Sequence, residues 1–210
     1  MWDITQPLHS LTQGGLLALL MKGGFVMIPL LASSLLSMAV ILERLYFWWC
    51  LRRREDDIAS FKDLIAEGEF EQALKMSQDA PHPVVRVLHA GLAYRHRAPG
   101  TAMEAAAQVE VQHLAAYLPI LDTIITLAPL LGLLGTITGM ISAFGIVSET
   151  GLGQPKAITG GIAEALIATA TGLFIAIMTL IPYNYFRARV ERLTTQIEEQ
   201  ATRLELLLSK

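Results

Sequence analysis

Three long apolar runs divide the chain, and between them polar and apolar positions are interleaved. Residues 25–49 carry no charge before Glu43. Residues 118–147 carry only Asp122, near their start, and residues 157–186 carry only Glu164. A spanning helix needs about 20 apolar residues. As isolated segments only helices cross lipid, because the hydrocarbon cannot satisfy backbone N–H and C=O groups. Each run therefore predicts a transmembrane helix.

The remaining segments read as helical too. Residues 11–21 are apolar but short and predict an interfacial helix, with Gly23 and Gly24 hinging into the first span. In residues 50–117, Ile58, Phe61, Leu64 and Ile65 share one helical face, and Phe70, Ala73 and Leu74 form a second stripe. Pro81 and Pro83 interrupt the pattern, and Val84, Val87, Leu88 and Leu92 resume it. Pro99-Gly100 predicts a turn, and Thr101 with Glu104 a capping box. From there the helical pattern has no strong stop before the second span, Pro119 being able to kink it without ending it. A helix over 102–147 would be about 70 Å long. Beyond the third span, Val190, Leu193, Ile197, Leu204 and Leu208 continue an apolar stripe through a charged tail. This reads as a projecting helix packed in a bundle in preference to one lying on the membrane. The expected fold is an all-α integral membrane protein. It has three transmembrane helices, the second and third extended into the cytoplasm, and a small helical cytoplasmic domain.

Composition agrees with a membrane protein. Hydrophobic residues make up 53% and charged residues 17%, against about 25% charged in soluble domains. A net charge of −3 gives no bulk signal for nucleic acid. Cys50 is the single cysteine, so no intramolecular disulfide forms, and no metal-ligand set or cofactor motif is evident. The first run is too long for the core of a cleaved signal peptide, and only Lys22 precedes it as a cation.

Cation placement sets the expected orientation. Arg52, Arg53 and Arg54 follow the first span, and Arg187, Arg189 and Arg192 follow the third. Lys22 stands alone before the first span, and Lys156 alone in the loop between spans two and three. The N-terminal segment 1–24 and the short loop 148–156 are thus expected in the periplasm. Residues 50–117 and the tail 187–210 are expected in the cytoplasm. Tyr46, Phe47, Trp48 and Trp49 form an interfacial aromatic belt where the first span ends.

Within the spans, small residues recur at helical spacing. Gly135 and Gly139 mark a close-packing face on the second, and Gly161, Ala165, Ala168, Gly172 and Ala176 a ridge on the third. Glu164 lies about 10 Å down the third span, counting from Ala157. An ionisable group in a membrane faces a protein interior or a watery cavity. It reads either as a step in an ion pathway or as a structural staple across the bundle. Thr136 and Thr169 are 11 and 12 residues from the outer ends of their spans, both about 16–18 Å deep. Antiparallel helices would bring them level, as part of a polar ring. The alternative is local bonding to their own helix. Glu164 and Thr169 lie about 140° apart on a helix and cannot share one axis, whereas Glu164 and Thr171 share a face. Thr138 and Thr171 are thus further candidates for pore or seam. Glu43-Arg44 reads as an interfacial ion pair, and Asp122 as lying at the cytoplasmic mouth. His82, His89, His96 and His113 lack metal-ligand spacing. No nucleophile–base arrangement is present, so no catalytic residue is assigned.

Two strings carry a family resemblance. Leu-Gly-Leu-Leu-Gly-Thr-Ile-Thr-Gly-Met at 131–140 and Gly-Ile-Ala-Glu-Ala-Leu-Ile-Ala-Thr-Ala-Thr-Gly at 161–172 resemble the second- and third-span motifs of the ExbB/TolQ/MotA family. Glu43-Arg44 resembles the pair after that family's first span. The three-span layout covers essentially the whole chain and is closer to ExbB and TolQ than to MotA, whose members usually carry an extra helix pair. The resemblance implies a homo-oligomeric ring, a pentamer, around two copies of a single-span ExbD/TolR/MotB-like partner whose membrane aspartate carries protons. It implies that Thr136, Thr169 and Glu164 line the proton path. A non-conducting membrane scaffold and a self-sufficient ion channel are the competing readings.

Overall fold

The computed structural model describes residues 24–53, 56–150 and 155–209. The expected interfacial helix at 11–21, the hinge residue Gly23 and residues 151–154 of the expected loop lie outside them. Seven α-helices and no strand occur among the described residues. They are α1 (Met27–Arg52), α2 (Asp56–Ala66), α3 (Phe70–Ser77), α4 (Pro83–Ala93), α5 (Pro99–Leu114), α6 (Leu118–Thr150) and α7 (Pro155–Leu208). Of these, α1, α6 and α7 are long and apolar enough to cross a membrane. The protein is an all-α membrane protein.

The chain divides into two compact units. One takes in residues up to Val40 together with Ile120–Pro182, and the other Ile41–Pro119 together with Tyr183–Lys210. In the first unit, Val26, Met27 and Leu30 of α1 pack with Ile124 and Ala128 of α6 and Ala168 and Ile175 of α7. Leu133, Ile137, Ile141 and Phe144 of α6 and Phe174, Ile177 and Ile181 of α7 remain exposed. Apolar exposure on that scale suits lipid or further protein, not water. Buried hydroxyls are satisfied without leaving their helices: Ser33 donates to the Leu30 carbonyl and Thr179 to that of Ile175, each at 2.8 Å.

The second unit is built on the stripes expected from the sequence. Ile58, Phe61, Ala73, Val84, Val87, Leu88 and Leu92 are buried, and so are Val190, Leu193, Ile197 and Leu204 of α7. The tail therefore belongs to a packed bundle. α7 runs 54 residues without a break, about 80 Å at helical rise. His82 caps α4, its Nδ1 accepting from the Val84 N–H at 3.3 Å.

Two local expectations are corrected. Pro99 is the first residue of α5 and not part of a turn, and Ala98 takes the cap position without a side-chain bond, so Thr101 and Glu104 form no capping box. Proline's fixed φ and missing N–H suit a first helical position. The continuous helix over 102–147 also does not form. α5 ends at Leu114, and α6 begins at Leu118. Tyr117 takes φ +64°, a left-handed conformation that no α-helix of L-residues can continue. Pro119 follows in the first turn of α6, where its missing N–H costs nothing.

Arg44 braces this break from α1. Its side chain is buried and pairs through two nitrogens with the adjacent Glu43, the Nη2–Oε1 distance being 2.8 Å. Another nitrogen lies 3.5 Å from the carbonyl of His113, which also accepts the Ala116 N–H at 3.3 Å. The guanidinium also covers the Tyr117 ring at 5.0 Å. Glu43-Arg44 is thus more than a solvent-exposed pair.

Candidate functional site

The first unit is organised by a seam of small residues between α6 and α7. A β-carbon built on Gly132 would lie 3.0 Å from the Thr169 Cα, one on Gly139 3.0 Å from the Gly161 carbonyl, and one on Gly161 3.1 Å from the Gly139 carbonyl. On Gly135 it would strike the Ala168 side chain, and on Gly172 the Ala128 carbonyl. Backbones this close leave no room for side chains, which is how membrane helices gain contact where lipid offers no hydrophobic drive. Ala128, Ala143, Ala165 and Ala168 complete the seam and are buried. Gly132, Ala128 and Ala143 were not singled out from the sequence, although they continue the spacing of Gly135 and Gly139.

The seam fixes what the polar residues can reach. Gly132 has no side chain to shield its carbonyl, and the Thr169 hydroxyl donates to it at 2.8 Å. In a regular helix that carbonyl also accepts the N–H of Thr136. The two hydroxyls bond neighbouring carbonyls of α6, Thr169 that of Gly132 and Thr136 that of Leu133, about 1.5 Å apart in helical rise.

The other hydroxyls bond within their own helices. Thr136 donates to the Leu133 carbonyl at 2.6 Å, Thr138 to that of Leu134 at 3.0 Å and Thr171 to that of Ile167 at 2.8 Å. A back-bonded threonine has spent its proton and keeps its oxygen as an acceptor. These residues thus offer acceptors to a hydrated cation or a protonated side chain.

Glu164 faces a different neighbour from Thr169, as their angular separation requires. Its half-buried carboxyl packs against Gly24, so closely that a β-carbon there would overlap its Oε1. Gly24 has φ +73° and precedes α1, and its carbonyl accepts the N–H of Met27 at 3.1 Å. The sequence marks Gly24 as a hinge. That it seats Glu164 is a long-range contact with no local signal. Asp122 is exposed. Among the described residues no group of three His, Cys, Asp or Glu side chains is placed to hold a metal ion.

Residues 80–199 match the sequence pattern of the MotA/TolQ/ExbB proton channel family. The biopolymer transport protein ExbB-like 3 of Synechocystis sp. is 37% identical over 193 residues, covering 89% of this chain and 92% of its own length. That likeness extends well beyond the two motif strings. TolQ of the Tol-Pal system in Haemophilus influenzae is 33% identical over 141 residues, 65% of this chain and 56% of its own. ExbB of Aquifex aeolicus is 43% identical over 84 residues, 40% of this chain and 56% of its own.

Proposed function

The chain belongs to the MotA/TolQ/ExbB proton channel family, and from that premise we propose that it is the ring-forming subunit of a proton-driven motor of the ExbB/TolQ type. It is a multi-pass protein of the inner membrane. In this reading its N-terminus is periplasmic and its C-terminus cytoplasmic. Five copies surround two copies of a single-span ExbD/TolR-like partner, whose membrane carboxylate takes up and releases protons. The chain has no enzymatic activity of its own.

The observation that carries this reading is Glu164, an ionisable side chain half-buried in a unit whose other long faces are apolar. Charge in a span is costly and is kept for ion pathways or tight pairing. Thr136, Thr138 and Thr171 add oxygen acceptors, and Thr169 ties the two helices together. Each proton crossing 100 mV releases about 2.3 kcal/mol. Cycles of partner protonation at the ring would convert that energy into rotation or displacement of the partner helices.

Proton flux in proteoliposomes, with and without the partner, tests the proposal. Wild-type protein should conduct only with its partner. Thr136→Ala, Thr169→Ala and Glu164→Gln should each abolish that flux while leaving assembly intact. Flux that survives in all three variants would remove the site assignment. A correctly assembled wild-type complex that never conducts would favour a scaffold.

A further inference from the structure

We propose that the membrane-edge portions of α1 and α7 in the second unit form a binding site for the phosphodiester head of an anionic phospholipid. Two buried hydrogen-bond donors meet there. Trp48 is buried, 6% exposed, and its indole Nε1 has no acceptor among the described residues. The Nε of Arg189 is likewise buried without one. A buried N–H without an acceptor is a standing cost, and native structures keep few of them. The two donors belong to side chains that touch each other: the Arg189 guanidinium lies 5.7 Å from the Trp48 ring centroid and 5.8 Å from that of Tyr185.

Both residues line a cavity of about 80 Å³, and Arg52, Arg192 and His82 line it with them. Three arginines thus meet at one cavity, and among the described residues no carboxylate lines it. Donors and positive charge converge where no carboxylate among the described residues answers them, which is the chemistry that binds phosphate. Trp48, Arg52 and Arg189 also line a second cavity of about 450 Å³. Its remaining walls are Leu45, Tyr46, Trp49 and Tyr185. One space is cationic and rich in donors, and the adjoining one is aromatic and apolar.

A free phosphate would use only the first space. A phospholipid uses both, with its phosphate among the arginines and its glycerol and upper acyl chains against the rings. The position along the chain fits. The apolar part of α1 ends in Trp48-Trp49 and Arg52-Arg53, and that of α7 in Tyr185-Phe186 and Arg187, the pattern of a helix leaving the bilayer at headgroup level. This inference does not depend on proton conduction.

Native mass spectrometry of the whole protein, released from nanodiscs of equal phosphatidylglycerol and phosphatidylethanolamine, tests it. Wild type should retain phosphatidylglycerol in preference. Trp48→Phe keeps the ring and removes only the N–H, and Arg189→Gln removes the charge. Each should weaken retention roughly tenfold, the effect of losing one charge-assisted hydrogen bond. Arg187→Gln, on an exposed arginine that lines neither cavity, should change nothing. Wild type that retains both lipids equally overturns the proposal without reference to any variant, and so does unchanged retention in both variants. If inorganic phosphate raises the melting temperature of delipidated protein as much as phosphatidylglycerol does, the site takes a soluble anion and the lipid assignment fails. If the variants lose self-association and keep their lipid, the missing acceptor belongs to a second copy of the chain, and the proposal fails equally.

Discussion

Gly24 is the residue at which chemistry and backbone are tied most closely. Its φ of +73° costs an L-residue about 1–2 kcal/mol, and a side chain there would overlap the Glu164 carboxyl. Gly24→Ala should therefore displace Glu164 and act as a functional mutation although it alters no ionisable group. Partner-dependent proton flux should fall by roughly tenfold or more, as small misplacements of reacting groups do. Gly160→Ala is the control: among the described residues nothing lies within 4 Å of a β-carbon at Gly160, and flux should be unchanged. If Gly24→Ala conducts like wild type, the seat does not matter to Glu164. Thr169 is the opposite case, since its hydroxyl already bridges two helices through the Gly132 carbonyl. A change there removes that bridge, while the small-residue seam still holds the two helices together.

At the scale of elements, the α6/α7 seam and the α5/α6 break decide where the polar groups fall. The seam depends on the absence of side chains at Gly132, Gly135, Gly139, Gly161 and Gly172. At Gly172 an added methyl would meet the backbone carbonyl of Ala128, which cannot swing aside as a side chain can. Gly172→Ala should destabilise the protein by about 1–3 kcal/mol, the usual cost of overpacking. Thermal denaturation in detergent would register this as a lower midpoint than that of Gly160→Ala. Equal midpoints would mean that the helices separate without penalty. The break has a different origin. It combines a left-handed Tyr117, a proline in the next helix's first turn, and an arginine from α1 covering the exposed end of α5.

For the molecule as a whole, the two units have different physics. The first exposes much of its apolar surface and needs lipid or other subunits to cover it. The second has an ordinary buried core. Ile197 of α7 is among the largest fully buried side chains there. Ile197→Ala should cost about 2–5 kcal/mol. Limited proteolysis should then cut the second unit while the portions of α1, α6 and α7 in the first unit stay protected within the membrane. Simultaneous loss of both would mean that the units do not fold separately.

By itself the sequence determined the three spans, the all-α class, the stripes of the second unit and most of the seam. Each of these is a periodic or compositional property, present within one run of residues and enforced by lipid or by a helix's repeat. It also marked Glu164, Thr136 and Thr169, because polar side chains in an apolar run stand out. Tertiary structure alone decided their arrangement. The register of α6 on α7 places the Thr169 hydroxyl on the Gly132 carbonyl. The fold brings Glu164 to Gly24 and Arg44 to the end of α5. The two buried donors that meet at Trp48 and Arg189 lie on different helices, and nothing local pairs them. Tyr117 breaks a helix inside a helical pattern, because its left-handed φ is held by surroundings that periodicity does not record. Local energetics choose the helix. Which faces meet, and at what register, is set by close packing between segments far apart in the chain.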